Sequence, residues 1–137
     1  MTDSAPSPTP GFDLVVLPDR FAICRLDPAL PVPAWVFDAA SFVTITRTPE
    51  ELSLVVLEEI VPAGIVTERP YRALKLKGPL SFTLVGILAA LTASVARAGI
   101  SLFAISTYDT DYLFVRETDL DRTIDQLALD GHRALDA

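Results

Sequence analysis

The stretch AISTYDTDYLFV, Ala104 to Val115, places Asp109 and Asp111 among hydroxyl-bearing residues between two apolar runs. These residue types suit a phosphatase nucleophile, a calcium loop, a ligand clamp or a hairpin turn. A haloacid-dehalogenase-type phosphatase also needs a larger α/β domain with a distant lysine, whereas this chain returns at once to strand-like residues. An EF-hand counted from Asp109 would place Leu120 where its glutamate belongs, with no glycine at position six. The hairpin turn and the ligand clamp remain.

The two aspartates differ in what their positions require. Asp109 lies in the centre of the polar stretch, where its side chain can bond the backbone two residues on, as in a turn. Asp111 resumes the apolar alternation on the same face as Leu113 and Val115, a strand position that disfavours aspartate. A carboxylate there needs a partner, which is either an internal donor or the cationic group of a ligand. We assign Asp109 to the turn and leave both interpretations of Asp111 open.

A second candidate site follows the alternating segment Tyr71–Lys77, where Gly78 and Pro79 end a predicted strand. The next apolar residues have helical spacing: Leu84, Ile87, Leu88, Leu91 and Val95. The free N–H groups at the start of such a helix attract carboxylates. Gly86 within this pattern costs about 1 kcal/mol relative to alanine, which suggests the close approach of a partner or ligand. Helix capping by Ser81, together with close packing at Gly86, is the structural alternative.

The residues for catalysis are missing from the sequence. It contains no GxSxG, no HExxH, no histidine–cysteine cluster and no phosphate-cradling glycine loop. We expect the only histidine, His132, to be exposed after the last helix, and the only cysteine, Cys24, to be a buried and inert thiol. The sequence therefore predicts a protein that is not an enzyme and that has no metal or cofactor.

Composition excludes further classes of function. The net charge of −7, with 11 scattered Lys and Arg residues among 137, argues against nucleic acid as a partner. Residues 1–11 are rich in proline and serine and predict a flexible tail rather than a signal peptide. The longest apolar stretch, Leu84 to Ala96, is too short to span a bilayer. We therefore expect a cytoplasmic protein that does not bind a membrane.

The elements that must position the two candidate sites follow from the hydrophobic periodicity. The first half predicts four strands at 12–17, 20–26, 41–47 and 52–57, with one helical turn at 34–37. The second half predicts a strand at 71–77, a helix ending at Gly99, a hairpin over 100–116, a helix capped by Thr118 and a short strand at 132–135. The order βαββαβ is that of an α+β, ferredoxin-like fold with antiparallel strands and both helices on one face. Residues 12–70 read as a degenerate unit of this kind, and residues 71–137 as a complete one.

Several segments resemble the ACT-domain proteins related to the CASTOR arginine sensors. The resemblance is carried by ALKLKGPL (73–80), by Gly86-Ile87-Leu88, and above all by AGISLFAISTYDTDYLFV (98–115). In the first half, LPDRFAICRLDP (17–28) and FVTITRTPEELSLV (42–55) are similar to small bacterial members. The resemblance implies a tandem of ACT units, the first degenerate. The sensors carry four ACT-like units and this chain about two, so a homodimer would restore four.

The resemblance also implies a function. ACT domains generally bind amino acids or similar small ligands at interfaces between units, so this protein is expected to be a non-catalytic ligand sensor or regulatory module. Carried over residue by residue, it implies a ligand site in the strand-to-helix turn and the hairpin: Leu84, Val85, Gly86, Ile87, Ser106, Thr107, Tyr108 and Asp111. The alternative is a structural protein–protein interaction module without a small ligand.

Overall fold

The computed structural model describes residues 11–39, 41–78 and 85–137. The first part of the chain forms β1 (Asp13–Val16), β2 (Phe21–Leu26), β3 (Val43–Arg47) and β4 (Leu52–Leu57), with 3₁₀ turns at Ala34–Phe37 and Glu58–Ile60. The second part forms β5 (Val66–Leu76), α1 (Ile87–Arg97), β6 (Leu102–Ser106), β7 (Asp111–Arg116), a 3₁₀ turn at Glu117–Asp119, α2 (Leu120–Leu129) and β8 (Arg133–Asp136). From β5 onwards the order is βαββαβ, and the fold is α+β, as predicted.

The long strand β5 connects the two halves of the molecule. Its first half pairs with β2, and its second half pairs with β1 on one side and β7 on the other. The eight described strands thus form one sheet with the path β3-β4-β2-β5-β1-β8, and β7 and β6 branch from β5. Because β5 runs from 66 to 76, it crosses the expected boundary between 70 and 71. The division of the chain into 12–70 and 71–137 stays a prediction.

The short strand β1 lies within the sheet of the second half. It is antiparallel to β5 and parallel to β8, so one pair departs from the expected antiparallel arrangement. The parallel pair arises because β1 and β2 lie one after the other along β5, both antiparallel to it. Leu14 of β1 is opposite Leu76, and Phe21 of β2 is opposite Tyr71. The position of β1 is fixed further by Arg133, whose Nε and Nη2 donate to the two carboxylate oxygens of Asp13 at 2.9 Å each. This pairing lowers the pKa of Asp13.

The helices α1 and α2 cover one face of the second half. Alternation along β5 and β7 turns Leu74, Leu76, Leu113 and Val115 towards them, and all four are buried. Burying an aliphatic side chain of this size contributes roughly 1.5–3 kcal/mol, so this face helps to dock the helices on the sheet. Asp130 joins the helices at their ends, because it accepts hydrogen bonds from Ser94 and from Arg97 and Gln126.

Aromatic side chains fill a separate core on the other face of the sheet, where the two halves meet. Phe21 of the first half lies edge-on to Phe114 of the second, with ring centroids 5.4 Å apart. Phe42 contacts both of these rings and also Tyr112. Edge-to-face pairs of this kind contribute about 0.5–1.5 kcal/mol beyond burial. The first half also has its own core under the 3₁₀ turn Ala34–Phe37, built on Val36, Cys24 and neighbouring apolar residues.

Some predictions of local structure were confirmed and others were wrong. Cys24 is buried as expected, and burial raises the pKa of its thiol to about 11. His132, predicted to be exposed, is buried against Phe12 of the distant N-terminal part. Thr118 does not cap α2, because the 3₁₀ turn Glu117–Asp119 precedes the helix and places Asp119 next to its first residue.

Candidate functional site

The hairpin that contains the two aspartates closes through backbone bonds and a threonine hydroxyl. The N–H of Thr107 donates to the carbonyl of Thr110 at 2.8 Å, and its hydroxyl donates to the same oxygen at 3.1 Å. Tyr108 and Asp109 therefore occupy the two central turn positions, and both are exposed. This geometry confirms the prediction that the stretch is a hairpin with Asp109 in its turn.

Asp111 opens β7 opposite Ser106, the last residue of β6. It is half-buried, and the Ser106 hydroxyl donates a hydrogen bond to its Oδ1. The internal donor that a carboxylate at this strand position required is therefore present. This pair places one carboxylate and one hydroxyl side by side at the base of the hairpin tip.

Thr110 attaches the hairpin to the end of β5. Its side chain is buried, and its hydroxyl donates to the carbonyl of Leu76 at 2.6 Å. Leu76 is the last residue of β5, so the hairpin tip lies where the chain leaves the sheet at Lys77 and Gly78. Sequence reasoning missed this contact, because nothing in the local pattern distinguishes Thr110 from its neighbour Thr107.

The described part of the strand-to-helix connection begins at Val85, whose side chain is 90% exposed. Gly86 follows with φ of +79°, and its carbonyl accepts the first helical hydrogen bond, from Ala90. A Cβ at Gly86 would meet no atom within 4 Å, so glycine is needed for the backbone conformation and not for close packing. Gly86 thus precedes α1 and does not interrupt it. Ile87 is buried in the helix core, while Leu84 and Ser81 lie outside the described residues.

Two cavities adjoin the hairpin. The smaller, of about 280 Å³, is lined by Lys75, Gly78, Asp109 and Thr110. The larger, of about 500 Å³, lies between the first half and the hairpin and is lined by Phe37, Ser41, Phe42, Val43, Thr44, Thr107 and Tyr112. The ammonium group of Lys75 lies 5.9 Å from the centre of the Tyr112 ring. This contact connects a residue that lines the smaller cavity with one that lines the larger cavity.

The alternation of β7 places Asp111 and its neighbour Tyr112 on opposite faces of the sheet. Tyr112 shares the face of Lys75, its cross-strand partner, whereas Asp111 shares the helix-covered face of Leu113. Asp109, assigned only to the turn, lines a cavity together with Lys75, which sequence reasoning did not select. The one available signal was that Lys75 and Lys77 form the only tight pair of basic residues.

The chemistry available in the described residues is that of hydrogen bonding and charge. Within residues 11–39, 41–78 and 85–137, no group of three or more metal-ligating side chains is placed to hold an ion. No helix in the same ranges is long and apolar enough to cross a membrane. Hydroxyls, two carboxylates and one ammonium group around the hairpin suit a small polar ligand.

Comparison with known families and structures identifies the fold. The profile of the ACT domain matches residues 66–128, and that of an associated N-terminal domain matches residues 19–64. Protein Atu0741 from Agobacterium tumefaciens, whose crystal structure is known, is 36% identical in sequence to this chain. The structural alignment covers 94% of this chain and 96% of that chain, with a TM-score of 0.87. This chain belongs to the ACT-domain proteins.

More distant solved structures share the fold alone. Protein VC0802 from Vibrio cholerae is 21% identical, with 88% of this chain and 91% of that chain covered and a TM-score of 0.71. The regulatory subunit of aspartate kinase from Thermus thermophilus is 14% identical. The alignment covers 82% of this chain and 93% of that chain, with a TM-score of 0.59. No curated protein matches the chain. The similarity to these solved structures confirms the ferredoxin-like architecture predicted from the sequence.

All eight residues predicted for the ligand site lie within the ACT-domain match. Of the seven that the structure describes, Ser106 and Asp111 are in direct contact, and Thr107 and Tyr108 continue the same hairpin. Ile87 is the exception, because its side chain is committed to the helix core. Only its backbone is available to a ligand.

Proposed function

We propose that this ACT-domain protein is a non-catalytic regulatory module that binds an amino acid or a similarly small polar ligand. The observation that carries the proposal is the 2.6 Å hydrogen bond from Thr110 to the Leu76 carbonyl, which holds the hairpin at the point where the chain leaves the sheet towards α1. It fixes the hairpin beside the end of β5, from which the connection to α1 departs, and this supports a ligand site shared by the two segments.

In the proposed mode, backbone groups from Leu84 to Ile87 bind the ligand's carboxylate and amine. The backbone N–H groups of Val85, Gly86 and Ile87 are at or before the start of α1, where the helix dipole favours negative charge. Asp111 takes the cationic group, and its contact with Ser106 holds the carboxylate in one orientation. Thr107 and Tyr108 contribute hydroxyls from the tip of the hairpin.

The sizes and charges near the hairpin favour a small ligand. The cavity of about 280 Å³ at Lys75 and Asp109 is at the small end of ligand pockets, which typically measure about 300–1,000 Å³. A carboxylate and an ammonium group in one cavity complement the two charges of a zwitterion.

We further propose that the protein assembles as a homodimer, which would place two ACT domains and two degenerate units in one particle. Both β3 and β6 are edge strands of the described sheet, and edge strands offer unpaired backbone groups to a second chain. Light scattering coupled to size-exclusion chromatography tests this: twice the mass of the 14.8 kDa chain supports the dimer, and the monomer mass contradicts it.

A protein–protein interaction module is the second candidate. Val85 is 90% exposed and Tyr108 is 82% exposed, and exposed aromatic residues such as Tyr108 are enriched in interfaces. Capture of one defined partner that does not depend on any amino acid, and that is lost in Tyr108→Ser, would favour this function.

A thermal-shift screen against the twenty amino acids tests the leading proposal. A ligand at about a hundred times its Kd stabilises a protein by roughly 2.7 kcal/mol, which for a chain of this size is on the order of 10 °C. Asp111→Asn should remove the shift, whereas Asp121→Asn, at an exposed position of α2 outside the hairpin and its cavities, is the matched control and should keep it. No shift with any amino acid, or an unchanged shift in Asp111→Asn, would contradict the proposal.

A further inference from the structure

We propose that a cavity beside β5, away from the hairpin, is a second binding site, which takes a small molecule through a carboxylate or phosphate group held by Arg69 and Arg72. The cavity measures about 690 Å³ and lies where the β1–β2 turn, the end of β4 and the middle of β5 meet. Its lining consists of Pro18, Asp19, Arg20, Leu57, Glu58, Glu59, Val61, Arg69 and Arg72. None of these belongs to the site proposed at the hairpin.

A β-bulge brings the two arginines into one cavity. Between the pairs Phe21–Tyr71 and Ile23–Glu68, β5 has one residue more than β2, and the extra residue falls at Arg69 or Pro70. Side chains three positions apart in a regular strand point to opposite faces. The extra residue of the bulge shifts the alternation of side chains between the two faces of β5. Arg69 and Arg72 therefore both line the cavity. Redirecting a side chain in this way is a common role of bulges at binding sites.

Arg72 is a donor that the protein leaves partly unused. Its side chain is only 19% exposed, and its Nη2 donates to the Leu17 carbonyl at 2.9 Å. Its Nη1 is 4.0 Å from Oε1 of Glu117, an oxygen that already accepts a 2.7 Å bond from Arg20. The Nε atom is buried, and no described group accepts its hydrogen bond. Buried polar atoms of this kind normally have a partner. Because Nε has almost no surface open to the cavity, an oxyanion there would reach it once the Arg72 guanidinium turns towards the cavity.

Arg69 provides the second charge. It is exposed and forms no ion pair or hydrogen bond with any residue in the described part of the chain. Two guanidinium groups on one wall match the geometry of a carboxylate or phosphate, which they bind through paired N–H groups.

The acidic residues of the lining limit the class of ligand. Glu58 and Glu59 enter from the 3₁₀ turn after β4, and Asp19 from the β1–β2 turn, so the cavity contains as many carboxylates as guanidinium groups. A ligand with negative charge throughout would meet like charges in the same cavity. The site therefore favours a small molecule with one oxyanion at one end and a neutral or cationic remainder.

The test follows the arginine Nε–Hε signals in ¹H–¹⁵N NMR spectra of the full chain, during titrations with sodium phosphate and with sodium acetate at constant ionic strength. We expect a saturable shift of the Arg72 signal that sodium chloride does not produce. Arg69→Gln should weaken the apparent affinity about tenfold, because it removes a charge-assisted hydrogen bond. Arg25→Gln, an exposed arginine of β2 outside the cavity, is the matched control and should leave the affinity unchanged.

The two anions distinguish the chemistry of the ligand: the tighter one shows whether a phosphate or a carboxylate is preferred. A saturable shift with either supports the site. The absence of a saturable Arg72 shift with both anions would overturn the proposal and leave Arg72 as a brace between Leu17 and Glu117. Equal affinity in Arg69→Gln and the parent would also overturn it. Because the hairpin residues are not involved, these outcomes are independent of the amino-acid screen.

Discussion

At the scale of single residues, His132 shows how burial sets a protonation state. The N–H of Phe12 donates to its Nδ1 at 3.1 Å, and the Phe12 and His132 rings stack with centroids 5.6 Å apart. Burial lowers the pKa of His132, Asp130 acts in the opposite direction, and the positive charge of Arg97 lowers it further. The folded protein therefore holds His132 neutral, with Nδ1 as an acceptor.

This arrangement predicts a pH dependence of stability. Because the folded pKa lies below the unfolded value of about 6.5, the unfolded chain binds a proton first as the pH falls. The free energy of unfolding should decrease as the pH falls from about 6.5 to the folded pKa of His132. Below that pH, His132 should contribute no further decrease. NMR titration of the only histidine should give a pKa below 6.5, and His132→Gln should remove this decrease from urea-unfolding curves. A pKa at or above 6.5 would contradict the prediction.

Thr110 allows a test of the hairpin anchor. Thr110→Val keeps the shape of the side chain and removes the hydroxyl that bonds the Leu76 carbonyl, so we expect a loss of about 1–2 kcal/mol in the free energy of unfolding. Thr110→Ser keeps the hydroxyl and should retain most of that stability. Urea unfolding measures both. Equal losses in the two variants would show that the hydroxyl does not anchor the hairpin.

Residue roles were predictable from the sequence only where local periodicity decided them. Alternation along β7 correctly separated Asp109, in the turn, from Asp111, on the strand. The prediction for His132 was wrong because its partner, Phe12, is 120 positions away. The cavity at Arg69 and Arg72 was missed for a similar reason, since it depends on a bulge and on turns from other parts of the chain.

At the scale of elements, the conformation of Gly86 defines the start of α1. Its φ of +79° lies in the left-handed region, which residues with a Cβ enter at a cost of roughly 1–2 kcal/mol. Since a Cβ at this position would have no atom within 4 Å, this cost is purely conformational. The backbone N–H groups that we propose for the ligand depend on this turn.

Gly86→Ala should therefore lower the free energy of unfolding by roughly 1–2 kcal/mol. Gly86→Asn should cost less, because asparagine tolerates the left-handed region better than alanine. Urea unfolding of the two variants and the parent gives the comparison. If Gly86→Ala has the same free energy of unfolding as the parent, the left-handed conformation assigned to Gly86 is contradicted.

Strands and helices with strong periodicity were predicted within a few residues, including β4, which was predicted in full, and the hairpin strands. The partners of the strands were not predictable in the same way. Alternation shows which face of a strand is buried, but not which strand lies beside it. The insertion of β1 between β5 and β8, and the extension of β5 back to Val66, follow from pairing between distant parts of the chain.

At the scale of the whole molecule, the aromatic core between the halves makes the two parts depend on each other. Phe21, Phe42 and Phe114 connect the first half to the second, and β5 continues through both. Separate cores lie under α1 and α2 and under the 3₁₀ turn Ala34–Phe37. A shared core and a shared strand should make unfolding cooperative.

The distribution of probes in the chain makes this testable. The only tryptophan, Trp35, reports on the first half by fluorescence, whereas α1 and α2, the described α-helices, report on the second half by circular dichroism. Both signals should follow one urea-unfolding curve. Phe114→Ala should shift both curves together, by about 3–5 kcal/mol in the free energy of unfolding. Two separate transitions would show that the halves are independent.

The central claim is that the hairpin and the start of α1 bind an amino acid. A crystal structure of the protein grown with an equimolar mixture of the twenty amino acids tests it most directly. We predict density for one amino acid between residues 84–87 and the hairpin, with its cationic group against the carboxylate of Asp111. Density for an amino acid elsewhere, or a well-ordered hairpin without any bound amino acid at saturating concentration, would contradict the account.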